Sequence, residues 1–173
     1  MDMKMDETNT GEKILDIGCS YNKIPGAKTL DINPDVKPDI VHDLNKYPYP
    51  IADGSFDKVY AKHVIEHLND PAAFLKEIQR ILKSGGTVFV ETPHFSSRVA
   101  YSEPQHKFFF SYFMFDNILN GLNFAVLSQK ITFYKTFRAC GIAYLANKFP
   151  DTYERFWTYI FPAENVSLLA KKK

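Results

Sequence analysis

Lys13-Ile-Leu-Asp-Ile-Gly18-Cys-Ser-Tyr-Asn-Lys-Ile-Pro25-Gly-Ala-Lys-Thr-Leu-Asp-Ile32 is the stretch whose reading decides the fold. Residues 13–17 form an apolar run that is too short for a helix and is stopped by Gly18, so they read as a buried strand. Residues 29–32 repeat that pattern and stop at Asn33-Pro34. The connection between them is short and carries Asn22, Pro25 and Gly26, so a loop or one short turn is expected there instead of a full crossover helix. In an open parallel sheet, ligands bind beyond the carboxyl ends of the strands, and the turn after the first strand commonly receives a cofactor. Gly18 allows the backbone to approach a ligand closely, and Asp31 is placed to accept hydrogen bonds from ribose hydroxyls. The G-x-G-x-x-G needed for a dinucleotide is not completed after Gly18, which disfavours hydride transfer with NAD.

Outward from this stretch, residues 39–41 suggest a third, shorter strand. Pro48, Pro50 and the Asp53-Gly54 turn exclude regular structure over 46–57, and residues 56–61 form a fourth strand. Asp70-Pro71 is an N-cap followed by proline at the first helical position. Phe74, Leu75, Ile78, Ile81 and Leu82 then recur at helical spacing until Ser84-Gly85-Gly86. Residues 87–91 give a fifth strand, closed by Pro93. Strands alternating with helical segments argue for a parallel sheet covered on both faces. Beyond residue 95, Ser111 is expected to cap a helix carrying Phe115, Ile118, Leu119 and Leu122. A strand over 124–134, helical stretches over 136–148 and 151–160, and a last strand over 166–170 follow. Residues 1–11 and 171–173 read as frayed ends.

A chain of 173 residues fits one domain: a flexible segment over 1–11, then a single unit over 12–173, with a cofactor-binding core at 12–95 and an acceptor-side region at 96–173. The formal net charge of +1 lacks the positive excess of a phosphate-backbone binder and disfavours nucleic acid as partner. No apolar run approaches membrane-spanning length and the start is polar, so a cytoplasmic protein is expected. Cys19 and Cys140 stand far apart and offer no disulfide framework. Residues 1–100 carry 12 basic and 15 acidic side chains, whereas 18 of the 26 aromatics lie between Tyr101 and Phe161. A regular scaffold followed by an aromatic covering region is the reading.

The segments Ile14-Leu-Asp-Ile-Gly-Cys-Ser20, Pro25-Gly26, Leu30-Asp-Ile-Asn33, Asp43-Leu44, Ser55-Phe-Asp-Lys-Val-Tyr60, His63-Val-Ile-Glu-His-Leu68 and Leu82-Lys-Ser-Gly-Gly86 together resemble the class I S-adenosylmethionine-dependent methyltransferases, and most closely the small type 11 branch. The resemblance covers about residues 12–95. Glu103-Pro-Gln-His-Lys-Phe-Phe109 and Phe161-Pro-Ala163 are similar to segments of related proteins encoded in sugar and surface-polysaccharide pathways. The resemblance implies a Rossmann-like fold with a mixed seven-strand sheet, its last pair antiparallel, and helices on both faces. S-adenosyl-L-methionine is the implied cofactor. Asp16, Gly18 and Ser20 would border its methionine part, Asp31 its ribose, Ile32 and Leu44 its adenine with Asp43 near the amino group, and His63 its sulfonium. Ser20, with Asn22 after it, departs from the glycines common in the family.

His63-x-x-Glu66-His67 also matches the H-x-x-E-H of inverted zinc peptidases, for which a third ligand would have to come from Glu91, Glu103, Glu154 or Glu164. The methyltransferase reading already explains that position, and no metal is expected. Methyl transfer mainly requires alignment of nucleophile, carbon and leaving group, and a base only when the acceptor holds a proton. His67, His94 and His106 are the candidate bases, with Glu103 placed to orient His106. Arg98 and Lys107 are candidates to meet an anionic acceptor. The run Phe108-Phe-Phe-Ser-Tyr-Phe-Met-Phe115 is core, acceptor-pocket wall or interface. The sequence thus leads to an enzyme acting on a small-molecule acceptor, as monomer or homodimer. A non-catalytic subunit that binds the cofactor is the alternative, and a zinc hydrolase the remote one.

Overall fold

The computed structural model describes residues 11–173, and the expectation of a flexible segment over 1–11 falls almost entirely outside them. Seven strands form one sheet: β1 (Ile14–Ile17), β2 (Lys28–Asp31), β3 (Ile40–Val41), β4 (Phe56–Lys62), β5 (Leu82–Pro93), β6 (Phe124–Ile131) and β7 (Asn165–Lys172). Their order is β3-β2-β1-β4-β5-β7-β6. The first five are parallel, and β7 runs antiparallel to both β5 and β6. The order reverses between β1 and β4, which makes the carboxyl ends of these two strands the place for a ligand.

Right-handed crossovers put the β1–β2 and β2–β3 connections on one face and the β4–β5 connection on the other. The two faces are covered unequally. The β1–β2 connection contains no helix, as Pro25 and Gly26 foretold, and the β2–β3 connection holds only the 3-10 turn Pro34–Val36. The β4–β5 connection holds the eleven-residue helix α1 (Pro71–Ile81). Along β5 the side chains alternate accordingly: Val88, Val90 and Thr92 are buried, whereas Thr87, Phe89 and Glu91 are half-buried. The Asp70 carboxylate caps α1 by accepting the Ala72 and Ala73 amides. Phe74, Leu75, Ile78 and Ile81 go into the core as their spacing predicts.

Several boundaries differ from the sequence expectation. Ser84-Gly85-Gly86 does not separate helix from strand: β5 begins at Leu82, directly after α1, and Leu82 pairs with Phe56. Gly85, at φ +77°, absorbs the register shift that follows within the strand. Lys171 and Lys172 are not frayed; they pair in β7, and the Lys172 ammonium donates to the Leu82 carbonyl. Ser111 does not cap a helix, because α3 (Met114–Leu119) begins after Phe113 with no side-chain cap. β6 ends at Ile131, where the Asn147 side-chain amide takes both the N–H and the carbonyl of Ile131 and closes the edge. The remaining helices are short: α2 (Arg98–Ser102), α4 (Lys135–Ala139), α5 (Ile142–Lys148) and α6 (Pro150–Thr152), which opens into a π-helical turn at Tyr153–Trp157. The expected 136–148 helix is broken at Gly141, which sits at φ +73°.

One large core joins β1, β2, β4, β5, β7 and α1 to Phe110, Phe115, Leu119 and Phe124. A smaller one gathers Ile131, Phe133, Ala146, Tyr153 and Ala163. The aromatic run therefore divides: Phe110 and Phe115 are core, while Phe109 and Phe113 are exposed.

Candidate active site

The turn after β1 is fixed by sterics and by one carboxylate. Gly18 lies at φ +65° and its N–H donates to the Leu30 carbonyl at 2.8 Å. A Cβ on Gly18 would come within 2.2 Å of Val64 Cγ2, so only glycine fits. Ser20 stands at φ +46°, a conformation that glycine adopts at less cost. Its N–H donates to Asp31 Oδ2 at 2.9 Å, while the Asn33 N–H donates to Oδ1 at 2.9 Å. Asp31 is thus held by two backbone amides, and a carboxylate oxygen has lone pairs left for a further donor.

Asp16, expected beside the methionine part of the cofactor, is engaged with its own loop. Its carboxylate accepts the Ile24 N–H at 3.0 Å and secures the loop that stands where a helix would be. Burial pushes its pKa up. It is not among the residues that line the cleft.

That cleft, about 530 Å³, opens at the carboxyl ends of β1 and β4. Gly18, Ser20, Asp31, Ile32, Asp43, Leu44, His63 and His67 line it, so the structure brings together most of the residues singled out in the sequence. Ile32 is 60% exposed and Leu44 is buried, which provides apolar surface beside the Asp31 carboxylate. The Asn45 amide donates to the Asp43 carboxylate, whose pKa is held below the usual range chiefly by that bond. Sequence reasoning missed Tyr21, Asn45 and Gln105 as lining residues. Gln105 had a signal, since it lies within the Glu103–Phe109 segment already set apart.

Four of the five histidines differ in their placement around this cleft. His63 lies at φ +53°, its N–H donates to the Glu91 carbonyl, and its Nδ1 is 3.5 Å from Glu66 Oε1. Glu66 raises its pKa. His67 lines the cleft and meets His106 edge-on, with ring centroids 4.6 Å apart. His106 lies behind the wall, its Nδ1 2.9 Å from the Ala100 carbonyl. Glu103 does not orient it through a carboxylate; only its backbone carbonyl is used, by the His106 N–H. His94 does not line the cleft. Fully buried, it is held between Ser96 Oγ and the Glu154 carboxylate, and it ties the end of β5 to the π-helical turn. Glu154 is thereby committed to His94 and to the Tyr112 amide, and neither it nor Glu91, Glu103 or Glu164 joins the histidines of the H-x-x-E-H motif. Lys107 donates to the Asn69 side chain, and Arg98 begins α2.

The strand order defines a Rossmann-like fold with the class I methyltransferase topology, and the cleft lies at its topological switch point. Residues 8–90 match the family model described as "Methyltransferase domain". The chain is similar to ajmaline N-methyltransferase of Rauvolfia serpentina, 44% identical over a match covering 29% of this chain and 16% of that protein. It is also similar to the ubiquinone biosynthesis O-methyltransferase of Xanthomonas campestris pv. campestris, 29% identical over 47% of this chain and 43% of that protein. The chain spans less than half the length of each of these curated relatives. A solved S-adenosylmethionine-dependent methyltransferase from Archaeoglobus fulgidus shares the fold, with a TM-score of 0.65 at 20% identity over 93% of this chain and 86% of that one. The match over residues 8–90 and the shared fold make the chain similar to S-adenosylmethionine-dependent methyltransferases. The cofactor this implies is S-adenosylmethionine, and the donor set fits it: a vicinal diol requires an acceptor such as Asp31, and an adenine requires flat apolar walls such as Ile32 and Leu44 provide. Among the described residues no helix is long and apolar enough to cross a membrane.

Proposed function

We propose that this chain, as a single-domain cytoplasmic protein in monomeric or homodimeric form, methylates an oxygen of a small, sugar-like or other metabolite. The observation that carries this reading is that the Gly18 turn and the Asp31 carboxylate face one cleft whose wall contains His67. In this reading Gly18 and Ser20 border the methionine part, Asp31 accepts from the ribose hydroxyls, Ile32 and Leu44 enclose the adenine with Asp43 at its rim, and His63 stands where the transfer occurs. When bound, the cofactor supplies a methyl carbon activated by positive sulfur. The acceptor oxygen forms a bond to that carbon as the carbon–sulfur bond breaks with its electron pair left on sulfur. The hydroxyl proton passes to His67, the predicted base that reaches the cleft. Near-neutral charge favours a small acceptor over nucleic acid. The relatives support methyl transfer without fixing the acceptor atom, since one is named for nitrogen and the other for oxygen.

Calorimetry with S-adenosylhomocysteine on the wild type and on Asp31→Ala tests the reading. Loss of about 1–3 kcal/mol of binding is expected, the scale of a deleted charge-assisted hydrogen bond. Equal affinity in both proteins would overturn the ribose placement. A second reading, a cofactor-binding subunit that works only beside another protein, is favoured by the apolar face that exposes Tyr144, Leu145, Phe149, Phe156 and Trp157. Turnover of S-adenosylmethionine by the purified chain with a metabolite pool would remove it.

A further inference from the structure

Glu66 is 1% exposed, at the centre of a 3-10 turn that follows β4. Its Oε2 accepts the Thr92 hydroxyl at 2.9 Å, whereas Oε1 has no hydrogen-bond partner among the described residues. A buried carboxylate oxygen left in this state is costly, and the groups nearest to it show what would satisfy it. His63 Nδ1 lies 3.5 Å away and His106 Nε2 lies 4.0 Å away. One ligand atom each from Glu66, His67 and His106 fall within 4.8 Å of one another. The grouping is held from outside: the Lys107 and Phe108 amides both donate to the Glu66 carbonyl, which fixes the segment carrying His106 against the turn.

The tautomer of His106 follows from its partner. A carbonyl only accepts, so the contact from Nδ1 to the Ala100 carbonyl at 2.9 Å places the ring proton on Nδ1 and leaves the Nε2 lone pair facing Glu66. A histidine held by a backbone carbonyl through one nitrogen and free at the other is arranged as metal-binding histidines are.

We propose that Glu66, His67 and His106 form a binding site for one divalent transition-metal ion of the Zn²⁺ type, with its open position toward the cofactor cleft. Two imidazole nitrogens and one carboxylate oxygen suit Zn²⁺, and three protein ligands leave a fourth place free. His67 is the ligand that lines the cleft, so the free place adjoins it. Bond lengths of about 2.0–2.2 Å require the ligand atoms to close in by roughly 1 Å, within side-chain motion. The residues of the H-x-x-E-H motif are thus used differently from the peptidase pattern: Glu66 binds the ion, and His106 supplies the ligand that the motif lacks. The consequence for transfer rests on the function proposed above. An ion held there would take the His67 lone pair in place of a proton and would supply Lewis-acid activation of an acceptor hydroxyl, whose proton would pass to solvent before the oxygen bonds the methyl carbon and the carbon–sulfur bond breaks. Acceptors with an ionisable hydroxyl are the class that such a site selects.

The test is calorimetric titration of the chelator-treated full chain with Zn²⁺, without cofactor. One ion per chain is expected, weakened at least tenfold in His106→Ala, His67→Ala and Glu66→Gln, and unchanged in His42→Ala, whose ring lies against the Lys46 carbonyl outside the grouping. Titration with Co²⁺ should give the visible bands of nitrogen and oxygen ligation without thiolate charge transfer, which excludes Cys19 and Cys140 as the source and decides the question even if a variant fails to fold. No saturable binding, equal binding in all three variants, or a thiolate band would overturn the site and leave a protonated histidine beside Glu66 as the explanation. Affinity for S-adenosylhomocysteine, measured separately on each protein, reports folding and keeps failure of the metal site distinct from failure of the cofactor reading.

Discussion

Between Ile14 and Pro93, five strands and one long helix follow one another along a single sheet, whereas from Arg98 to Trp157 five helices, none longer than seven residues, surround one strand. The first region gets its stability from regular elements whose apolar positions recur at a fixed period. The second gets it from large rings inserted singly: Phe110 and Phe115 into the sheet's own core, Phe133 and Tyr153 into a smaller one. The difference shows that the later region is not an appendage. Its aromatics complete the core of the earlier one.

Phe110→Ala is the strongest way to break that comparison. If the two regions were independent, the substitution would leave the sheet untouched. Because the ring is fully buried in the common core, a loss of about 3–5 kcal/mol in denaturant unfolding is expected, carried by a single transition. Two separate transitions would refute the shared core.

Glu77→Gln probes the earlier region by itself. The Arg80 guanidinium donates to Glu77 and to the Tyr49 and Ile51 carbonyls, which holds the irregular proline segment against α1. Burial acts to raise the pKa of Glu77, yet the Arg80 hydrogen bonds and the Tyr49 amide outweigh it and hold the carboxyl below its usual range. A depressed carboxylate contributes stability above its unfolded pKa of about 4.3, and that contribution fades as pH falls through the lower folded value. Melts should therefore show the variant weaker by about 3 kcal/mol at pH 7, with the gap narrowing below about pH 4. A gap independent of pH would show that the pair does not act through charge.

Phe109→Ala gives the smallest expected effect and sharpens the comparison within one run of residues. Phe109 is 43% exposed and stacks on Tyr101 at 4.7 Å, so a change within about 1 kcal/mol is expected. Affinity for S-adenosylhomocysteine should be unchanged. A loss as large as that at Phe110 would erase the distinction between the two faces of the segment.

What could be read in advance follows the same division. Gly18 and Asp31 were legible because each stands where a short strand gives way to a turn, whereas Leu44 and His63 came only from the family resemblance. The Asp70 cap and the helix after it were legible because their signals are local. The direct passage from α1 into β5 was not, since it depends on Gly85 bending within a strand held between β4 and β7. The commitment of His94 to Glu154, 60 positions later, and the convergence of Glu66 with His106 arise from tertiary packing that no spacing in the chain encodes. Asp16 was legible as a strand-end carboxylate, but its bond to the Ile24 amide was not, because a carboxylate that holds a loop and one that meets a ligand look alike in sequence.

β5 lies between β4 and β7, yet β7 does not begin until Asn165. While the ribosome is still producing the aromatic region, the apolar strand at residues 82–93 has one edge without a neighbour, and such an edge is a template for pairing with another nascent chain. Secure folding therefore depends on rapid docking of residues 165–172, and translation speed or chaperone supply over this interval governs the yield of usable protein.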